Sequence, residues 1–381
     1  MRKLHLVVLS LGIILLAVYI SKRDVPPPIV QKEFVPPVKP LPPPDVDPPP
    51  DVDPPRKKTY DEAIADISES ELQKHLEYLC SAELEGRMSG KKGNVVAADY
   101  LKKIYESFGL DTAYQKFNIQ RMNAGPKNET GDDFTQNIIA WIEGTELKDE
   151  IVVVGAHMDH IGWGPSMSRA GGGKIHPGAD DNASGTVALL QIAKTFASLR
   201  GQNKRTVVFM SFSAEEMGLI GSRYYCDNPI FPKGSPNIRK HIFMLNMDMV
   251  GYLGKARTTV AFNEGESSPD VSSIIGELSG KYSFAKSITG RSSGGSDHAC
   301  FYNKKVPIAF LHTGMHDNYH TPRDTADKIN FSGIENVAKY GFELTWKVVN
   351  SNTKPSFNYG GFREMEYTHD HGHKDVPFHK D

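Results

Sequence analysis

Residues 151–159, Ile-Val-Val-Val-Gly-Ala-His-Met-Asp, join a continuous apolar run to two polar side chains. The run at 206–213 has the same character and is followed by Glu215 and Glu216. Continuous rather than alternating apolar residues are typical of strands that are covered on both faces. We therefore expect buried strands in the middle of a sheet, with polar groups at the points where the strands end.

Strands and helices alternate outward from this stretch. Further strands are predicted at 136–141, 242–245, 258–262 and 306–311. Helices are predicted at 68–79, 94–108, 183–199, 215–227, 269–281 and 332–349. This alternation indicates an α/β fold with a mostly parallel central sheet and helices on both faces.

The N-terminal residues 1–23 resemble a targeting segment. Arg2 and Lys3 precede an apolar run that ends at Ile20 and is short for a membrane-spanning helix. The pattern predicts an export signal and a periplasmic or extracellular protein. If the signal stays uncleaved, residues 4–20 would anchor the chain in a membrane.

Composition divides the rest of the chain into three parts. Residues 24–58 contain 14 of the 25 prolines, which favours an extended linker over a packed core. Residues 59–350 have globular composition and predict one domain. Residues 351–381 form a tail with several histidines, for which we expect loose order rather than a specific metal site.

Charge and cysteine content exclude several classes of protein. A formal net charge of -2 gives no bulk bias towards nucleic acid. Cys80, Cys226 and Cys300 are far apart and include no Cys-x-x-Cys pair, so no zinc knuckle is indicated. One disulfide with one free thiol remains open. No Gly-x-Ser-x-Gly motif occurs, which argues against a serine hydrolase.

Metal-binding residue types follow the predicted strands one after another, at the edge where α/β sheets bind ligands. They are His157, Asp181, Glu216, Asp248 and His320. Two imidazoles with carboxylates suit zinc, and five ligands exceed the needs of one tetrahedral ion. Two ions that share one carboxylate would use all five ligands, and we expect Asp181 to be the shared residue.

The neighbours of these residues have roles of their own. Asp159 is two residues from His157 and can accept a hydrogen bond from it. Glu215 and Glu216 project in different directions, so one of them can bind metal while the other serves as a general base. His312 and His316 compete with His320, and spacing alone does not separate them.

The Asp180–Gly185 segment has a rival interpretation as a calcium loop. Position 12 of such a loop would be Gln191, where a bidentate glutamate is required. A calcium loop is therefore rejected. An N-terminal helix cap is compatible with a metal site, because acids are favoured at the start of a helix.

Five ordered motifs together resemble the M28 family of zinc aminopeptidases. These motifs are His157-x-Asp159, Gly178-Ala-Asp-Asp-Asn-x-Ser-Gly185, Ala214-Glu-Glu-x-Gly218, Asp248-Met249 and Tyr319-His-Thr-x-x-Asp-Thr325. Segments 84–87, 97–100 and 296–298 also resemble that family. The resemblance covers about 135–330 and implies an α/β/α sandwich of the zinc aminopeptidase type that acts on peptides.

The resemblance also implies a role for each residue. His157 and Asp248 would hold one of two zinc ions per chain, and Glu216 and His320 the other. Asp181 would bridge the two ions. In the family, the peptide bond after the bridging aspartate, here Asp181–Asn182, is often cis. Glu215 would deprotonate a water that bridges the metals, and would then protonate the leaving amine. Asp159 would orient His157, and Tyr319 would polarise the substrate carbonyl.

Two rival functions share the same fold. A glutaminyl cyclase is similar but uses one zinc ion and lacks the full two-metal set. A binding module that has lost catalysis would lack ligands, whereas all five and Glu215 are present here.

Overall fold

A computed structural model of the protein describes residues 58–119, 134–164, 167–254, 261–263, 267–282, 284–287 and 295–358. All of them belong to one compact unit, Pro42–Asp381. The predicted export signal, nearly all of the proline-rich linker and most of the tail lie outside the described residues. Within the described residues, no helix has both the length and the apolar character to cross a membrane.

The central sheet has six strands, with the bounds Asp111–Asn118 (β1), Phe134–Ile142 (β2), Leu147–His157 (β3), Arg205–Phe212 (β4), His241–Met247 (β5) and Ile308–Leu311 (β8). Their order across the sheet is β1-β2-β4-β3-β5-β8. Strands β4, β3, β5 and β8 are parallel, whereas β1 and β2 pair antiparallel at one edge. The α/β fold with a largely parallel sheet is thus confirmed.

Alternate residues of the inner strands pack on opposite faces of the sheet. Val152 and Val154 contribute to one apolar core, and Ile151 and Val153 contribute to the other. Because side chains alternate along a strand, an apolar run without breaks is what two covered faces require.

The helices cover both faces. Their bounds are Tyr60–Ala65 (α1), Glu69–Leu79 (α2), Lys92–Ser107 (α3), Gly185–Ser198 (α4), Ile220–Asp227 (α5), Pro269–Ser279 (α6), His298–Asn303 (α7) and Phe331–Asn350 (α8). Helices α2, α3, α4 and α8 contribute to the core of Val152, while α5 and α7 contribute to the core of Ile151.

Three predictions of secondary structure differ from the structure. Residues 258–260 of one predicted strand lie outside the described residues, and Ala261–Asn263 (β6) pairs with Ala285–Ser287 (β7) in a separate small sheet. The helix predicted from 215 begins only at Ile220, because Ala214 and Leu219 adopt positive φ and turn the chain first. Strand β1 was not predicted from the sequence.

The topology directs the loops of four strands to one edge. From β3 the chain passes through α4 to β4 on one side of β3, and later reaches β5 on the other side. Ligands of open α/β sheets bind where the strand order reverses in this way. The carboxyl end of β3 is therefore the expected site.

A disulfide joins the helices beneath this edge. Cys226 in α5 and Cys300 in α7 are bonded, and Cys80 is a free thiol. One disulfide with one free thiol is the pairing that the sequence left open.

Candidate metal centre

The structure brings the five candidate ligands together at the carboxyl ends of the parallel strands. On one side, His157 Nε2 lies 3.4 Å from Asp181 Oδ1 and 3.4 Å from Asp248 Oδ1. All three side chains are buried. They form a group that can hold one metal ion.

The other carboxylate oxygen of Asp181 faces a second group. His320 Nε2 lies 3.1 Å from Asp181 Oδ2 and 3.0 Å from Glu216 Oε2. One oxygen of Asp181 therefore faces each group, which is the arrangement that a bridging carboxylate needs.

His160 joins the second group and was missed by the sequence analysis. Its Nδ1 lies 2.7 Å from Glu216 Oε1 and 3.6 Å from Asp181 Oδ2. The second group thus contains His160, Asp181, Glu216 and His320. The available signal was a second histidine three residues after His157, directly beyond the same strand.

Buried negative charge dominates the centre. Among the described residues, no lysine or arginine forms an ion pair with the carboxylates of Asp181, Glu215, Glu216 or Asp248. Asp181 Oδ2 and His320 Nε2 are buried 3.1 Å apart, but neither atom makes a hydrogen bond of normal geometry. Buried charges need a counter-charge, so divalent cations fit these residues.

The histidines already supply part of that counter-charge in the metal-free protein. Burial would lower the pKa of His320, but Glu216 and Asp181 outweigh it and raise the pKa to about 11. Burial also opposes the charged form of His157, yet Glu215 and Asp248 raise its pKa well above the usual value. Metal binding must therefore displace protons from both rings.

Glu215 has an environment suited to proton transfer. Burial, with the charges of Asp248 and Glu216, raises the pKa of the Glu215 carboxyl well above its ordinary value. The backbone N–H of Glu215 donates to Asp159 Oδ1 at 3.2 Å. A glutamate with a raised pKa can both take and return a proton near neutral pH.

The carboxylate of Asp159 does not make the hydrogen bond to His157 that the sequence predicts. The Asp159 carboxylate is 3.7 Å from His157 Nδ1, which is too long for a hydrogen bond. The backbone carbonyl of Asp159 is nearer, at 3.3 Å from the same nitrogen. Its carboxylate holds the backbone of Glu215 instead.

The loop that carries Asp181 is fixed by neighbouring amides and carboxylates. The Asp324 carboxylate accepts hydrogen bonds from the backbone N–H groups of Asp180 and Asp181. The Asn182 side chain donates to Met247 O and accepts from the N–H of Met249, which ties the loop to the end of β5. The peptide bond between Asp181 and Asn182 is cis, as expected.

Asp180 and the two competing histidines make other contacts. Asp180 accepts from Gly251 N–H at 2.6 Å and pairs with His316 Nε2 at 2.9 Å. His316 also stacks on Tyr252, with ring centroids 3.8 Å apart. His312 Nδ1 accepts from Gly314 N–H. Neither of these histidines belongs to a metal-binding group within the described residues.

Arg87 connects the two loops that carry His157 and Asp181. This fully buried side chain donates to the backbone carbonyls of Met158, Pro177 and Gly178 at 2.7–2.9 Å. Met158 follows His157, and Gly178 lies three residues before Asp181. One guanidinium group therefore sets the distance between the two ligand loops.

The loop segment 167–169 contacts His320. Met167 O accepts from His320 Nδ1 at 3.1 Å, and Arg169 N–H donates to His320 O. Tyr319 stacks on His320 at 3.8 Å between ring centroids, and the Arg169 guanidinium lies 4.7 Å from the Tyr319 ring. This loop therefore forms one wall of the centre.

Fold and site together are those of a metal-binding α/β enzyme, and its peptidase family and aminopeptidase relatives indicate a zinc-dependent hydrolase. Comparison with known proteins agrees: the model of peptidase family M28 matches residues 137–345, more than half of the chain. The chain belongs to peptidase family M28.

Relatives with known names are similar over much of their length. Leucine aminopeptidase 1 of Sclerotinia sclerotiorum is 28% identical, over 77% of this chain and 74% of that protein. The chain spans between 55% and 74% of the length of the first relatives that it matches.

Solved structures show the same fold. A zinc aminopeptidase from Bacillus subtilis has a TM-score of 0.60 at 18% identity, covering 76% of this chain and 98% of its own. A glutaminyl cyclase from Bacteroides thetaiotaomicron also has a TM-score of 0.60, at 20% identity, covering 75% and 99%. The fold therefore does not separate these two activities.

Proposed function

We propose that this protein is an exported aminopeptidase that removes the N-terminal residue of peptides with two zinc ions and Glu215. The observation that carries the proposal is the pair of ligand groups that share Asp181, with Glu215 beside both. A cyclase with one zinc ion would not need a complete group on each side. The negative charge of the centre also favours a substrate that enters with a cationic α-amine.

The residues of this chain would perform the steps as follows. Bound zinc would supply Lewis acidity for the attacking water and for the peptide carbonyl. Glu215 would accept a proton from the water as the oxygen of that water bonds to the carbonyl carbon of the peptide. Glu215 then donates that proton to the nitrogen as the C–N bond breaks.

Tyr319 would assist at the carbonyl oxygen. Burial, with the negative charges of Asp181 and Glu216, raises the pKa of the Tyr319 hydroxyl well above its usual value. The hydroxyl therefore stays protonated and can donate a hydrogen bond to developing negative charge.

Export is proposed from two features. The N-terminal sequence has the pattern of a signal, and the Cys226–Cys300 disulfide is of a kind that persists in oxidising compartments. The names of the curated relatives make an N-terminal leucine the first residue to test.

The test uses the full chain with zinc counted on the same sample. We expect about two zinc ions per chain, release of leucine from leucyl reporters, and no cleavage once the α-amine is acetylated. Conversion of N-terminal glutamine to pyroglutamate with one zinc ion would replace the proposal by a cyclase. Absence of both reactions with zinc bound would indicate a binding module.

A further inference from the structure

His160 occupies a place that the five-ligand scheme does not use. Its ring is fully buried, and Nδ1 points into the group of Asp181, Glu216 and His320. Gly178 makes room for the ring, because a Cβ there would lie 2.5 Å from His160 Cγ. The loop before Asp181 is therefore packed directly around this imidazole.

The spacing of the four side chains matches one tetrahedral ion. Zinc bonds of about 2.1 Å to nitrogen and oxygen place neighbouring ligand atoms about 3.4 Å apart. The ligand atoms of this group all lie within 4.8 Å of one another, and His160 Nδ1 lies 2.7 Å from Glu216 Oε1 and 3.6 Å from Asp181 Oδ2. The two contacts of His320 Nε2, at 3.0 and 3.1 Å, lie between these two distances.

A hydrogen bond to Glu216 alone leaves much of this arrangement unexplained. His160 Nε2 is buried without a hydrogen-bond partner among the described residues, and the ring otherwise packs edge-on against His320, with centroids 5.5 Å apart. Asp181 Oδ2, which Nδ1 also faces, has no hydrogen bond either. A metal ion beside Nδ1 would bind His160 Nδ1 and Asp181 Oδ2 together, whereas a proton on Nδ1 would serve Glu216 only.

We propose that His160 is a fourth protein ligand, so that the two metal positions differ in ligand number. His160, Asp181, Glu216 and His320 would provide four side chains at one position, whereas His157, Asp181 and Asp248 would provide three at the other. Catalytic zinc can expand to five ligands, so a water shared by the two ions still fits beside four side chains. This inference rests on the proposed two-metal function.

Metal affinity tests the assignment without measuring turnover. Asparagine at position 160 can replace Nδ1–H as a hydrogen-bond donor to Glu216 but cannot replace imidazole as a zinc ligand. We expect H160N and H160A to lose affinity for one zinc equivalent by more than about 100-fold, since loss of a residue that only supports a ligand already costs about 10- to 100-fold. Dialysis against zinc buffers, followed by metal analysis, gives the affinity of each equivalent.

The matched control is H176N. His176 is a buried histidine that, like His160, lies between β3 and α4. It contacts Ser168 Oγ and Lys174 O and belongs to neither metal-binding group. We expect H176N to retain both zinc equivalents. Wild-type affinity in H160N would reduce His160 to a hydrogen-bond donor and overturn the inference, whereas fewer than two equivalents in the wild type would overturn the proposed function.

A second measurement needs no variant and decides the matter if both substitutions unfold the protein. In the cobalt-substituted wild type, each ligated imidazole keeps one exchangeable N–H whose proton resonance is shifted by the metal. Ligation by His157, His160 and His320 predicts three such resonances. Two resonances would overturn the inference.

Discussion

The two ends of the central sheet each bury an arginine, and the two arginines stabilise different things. Arg87, at the carboxyl end, donates to the carbonyls of the two ligand loops, and no ion pair to it is found among the described residues. Arg205, at the amino end, pairs with Glu150 at 2.7 Å and donates to Ser351 O at the end of α8. Arg87 therefore positions the two ligand loops, whereas Arg205 ties the start of β4 to the end of α8.

The same contrast extends to other groups at the two ends. At the carboxyl end, Ala214, Met249 and His320 adopt positive φ, which non-glycine residues seldom do. At the amino end, His241 begins β5, is buried and pairs with Tyr225 Oη at 2.8 Å. These positive-φ residues and carboxylates without a lysine or arginine partner thus lie where the chemistry is expected, whereas the buried arginine at the opposite end has a carboxylate partner.

Exchange of Glu215 for glutamine should give the largest effect. We expect kcat to fall about 10²- to 10⁴-fold, because proton transfer is lost, while zinc content and thermal stability stay near wild type. The matched control is E150Q at the amino end, which should keep kcat and lose some stability. Activity close to wild type in E215Q would remove Glu215 from the mechanism.

Loss of Arg205 should weaken the fold and leave the site intact. We expect R205M to lower the free energy of unfolding by about 3 kcal/mol, at the low end for a broken buried pair, because Glu150 is partly exposed. Urea unfolding measures this change. Zinc affinity of the folded variant should equal that of the wild type, and a matching loss of zinc affinity would break the contrast between the two ends.

Loss of Arg87 should mainly weaken metal binding. We expect R87K to lower zinc affinity about 10- to 100-fold, as for other residues that hold ligands in place, because a lysine cannot bond the carbonyls of both loops at once. The measurement is competition with a zinc buffer. Added guanidinium should partly restore zinc affinity to R87A, an effect that general destabilisation would not produce.

Zinc uptake should release protons from histidines at the carboxyl end only. The pKa of His320 is raised to about 11 and that of His157 is also raised, so both rings carry a proton at neutral pH without metal. Affinity for each ion should therefore rise about tenfold per pH unit, with about two protons released per chain. Calorimetry in buffers of different ionisation enthalpy counts these protons.

His241 provides the internal contrast for this pH dependence. Burial lowers the pKa of His241 to about 4, so it is neutral at pH 7 and contributes no proton. Its neutral form stabilises the fold above the ordinary histidine pKa, and that stability is lost as pH falls towards 4. Zinc uptake without proton release would contradict the charge state that we assign to the carboxyl end.

Sequence patterns predicted the elements whose causes are local. The strand at 151–156, the helices at 94–108 and 332–349, and the polar residues after each strand all follow from apolar runs and their ends. Edge strand β1, Asp111–Asn118, was not predicted, because its sequence mixes polar and apolar residues and only two of them are buried. Helix α5 was predicted to begin too early because the backbone N–H groups of Ala214 and Glu215 donate to Ser89 and Asp159, which are distant in sequence.

The sequence by itself determined which residue types stand at the strand ends, because apolar runs fix the strands and parallel strands end at one edge. Only the tertiary structure decided which oxygen of Asp181 faces which histidine, that Cys226 pairs with Cys300, and that His160 turns into the centre. The direction of a loop side chain is set by hydrogen bonds from distant residues. For His160, the backbone N–H donates to the carbonyl of Arg87 at 3.3 Å, and the Arg87 guanidinium donates to the carbonyls of Met158 and Gly178, 71 and 91 residues away along the chain.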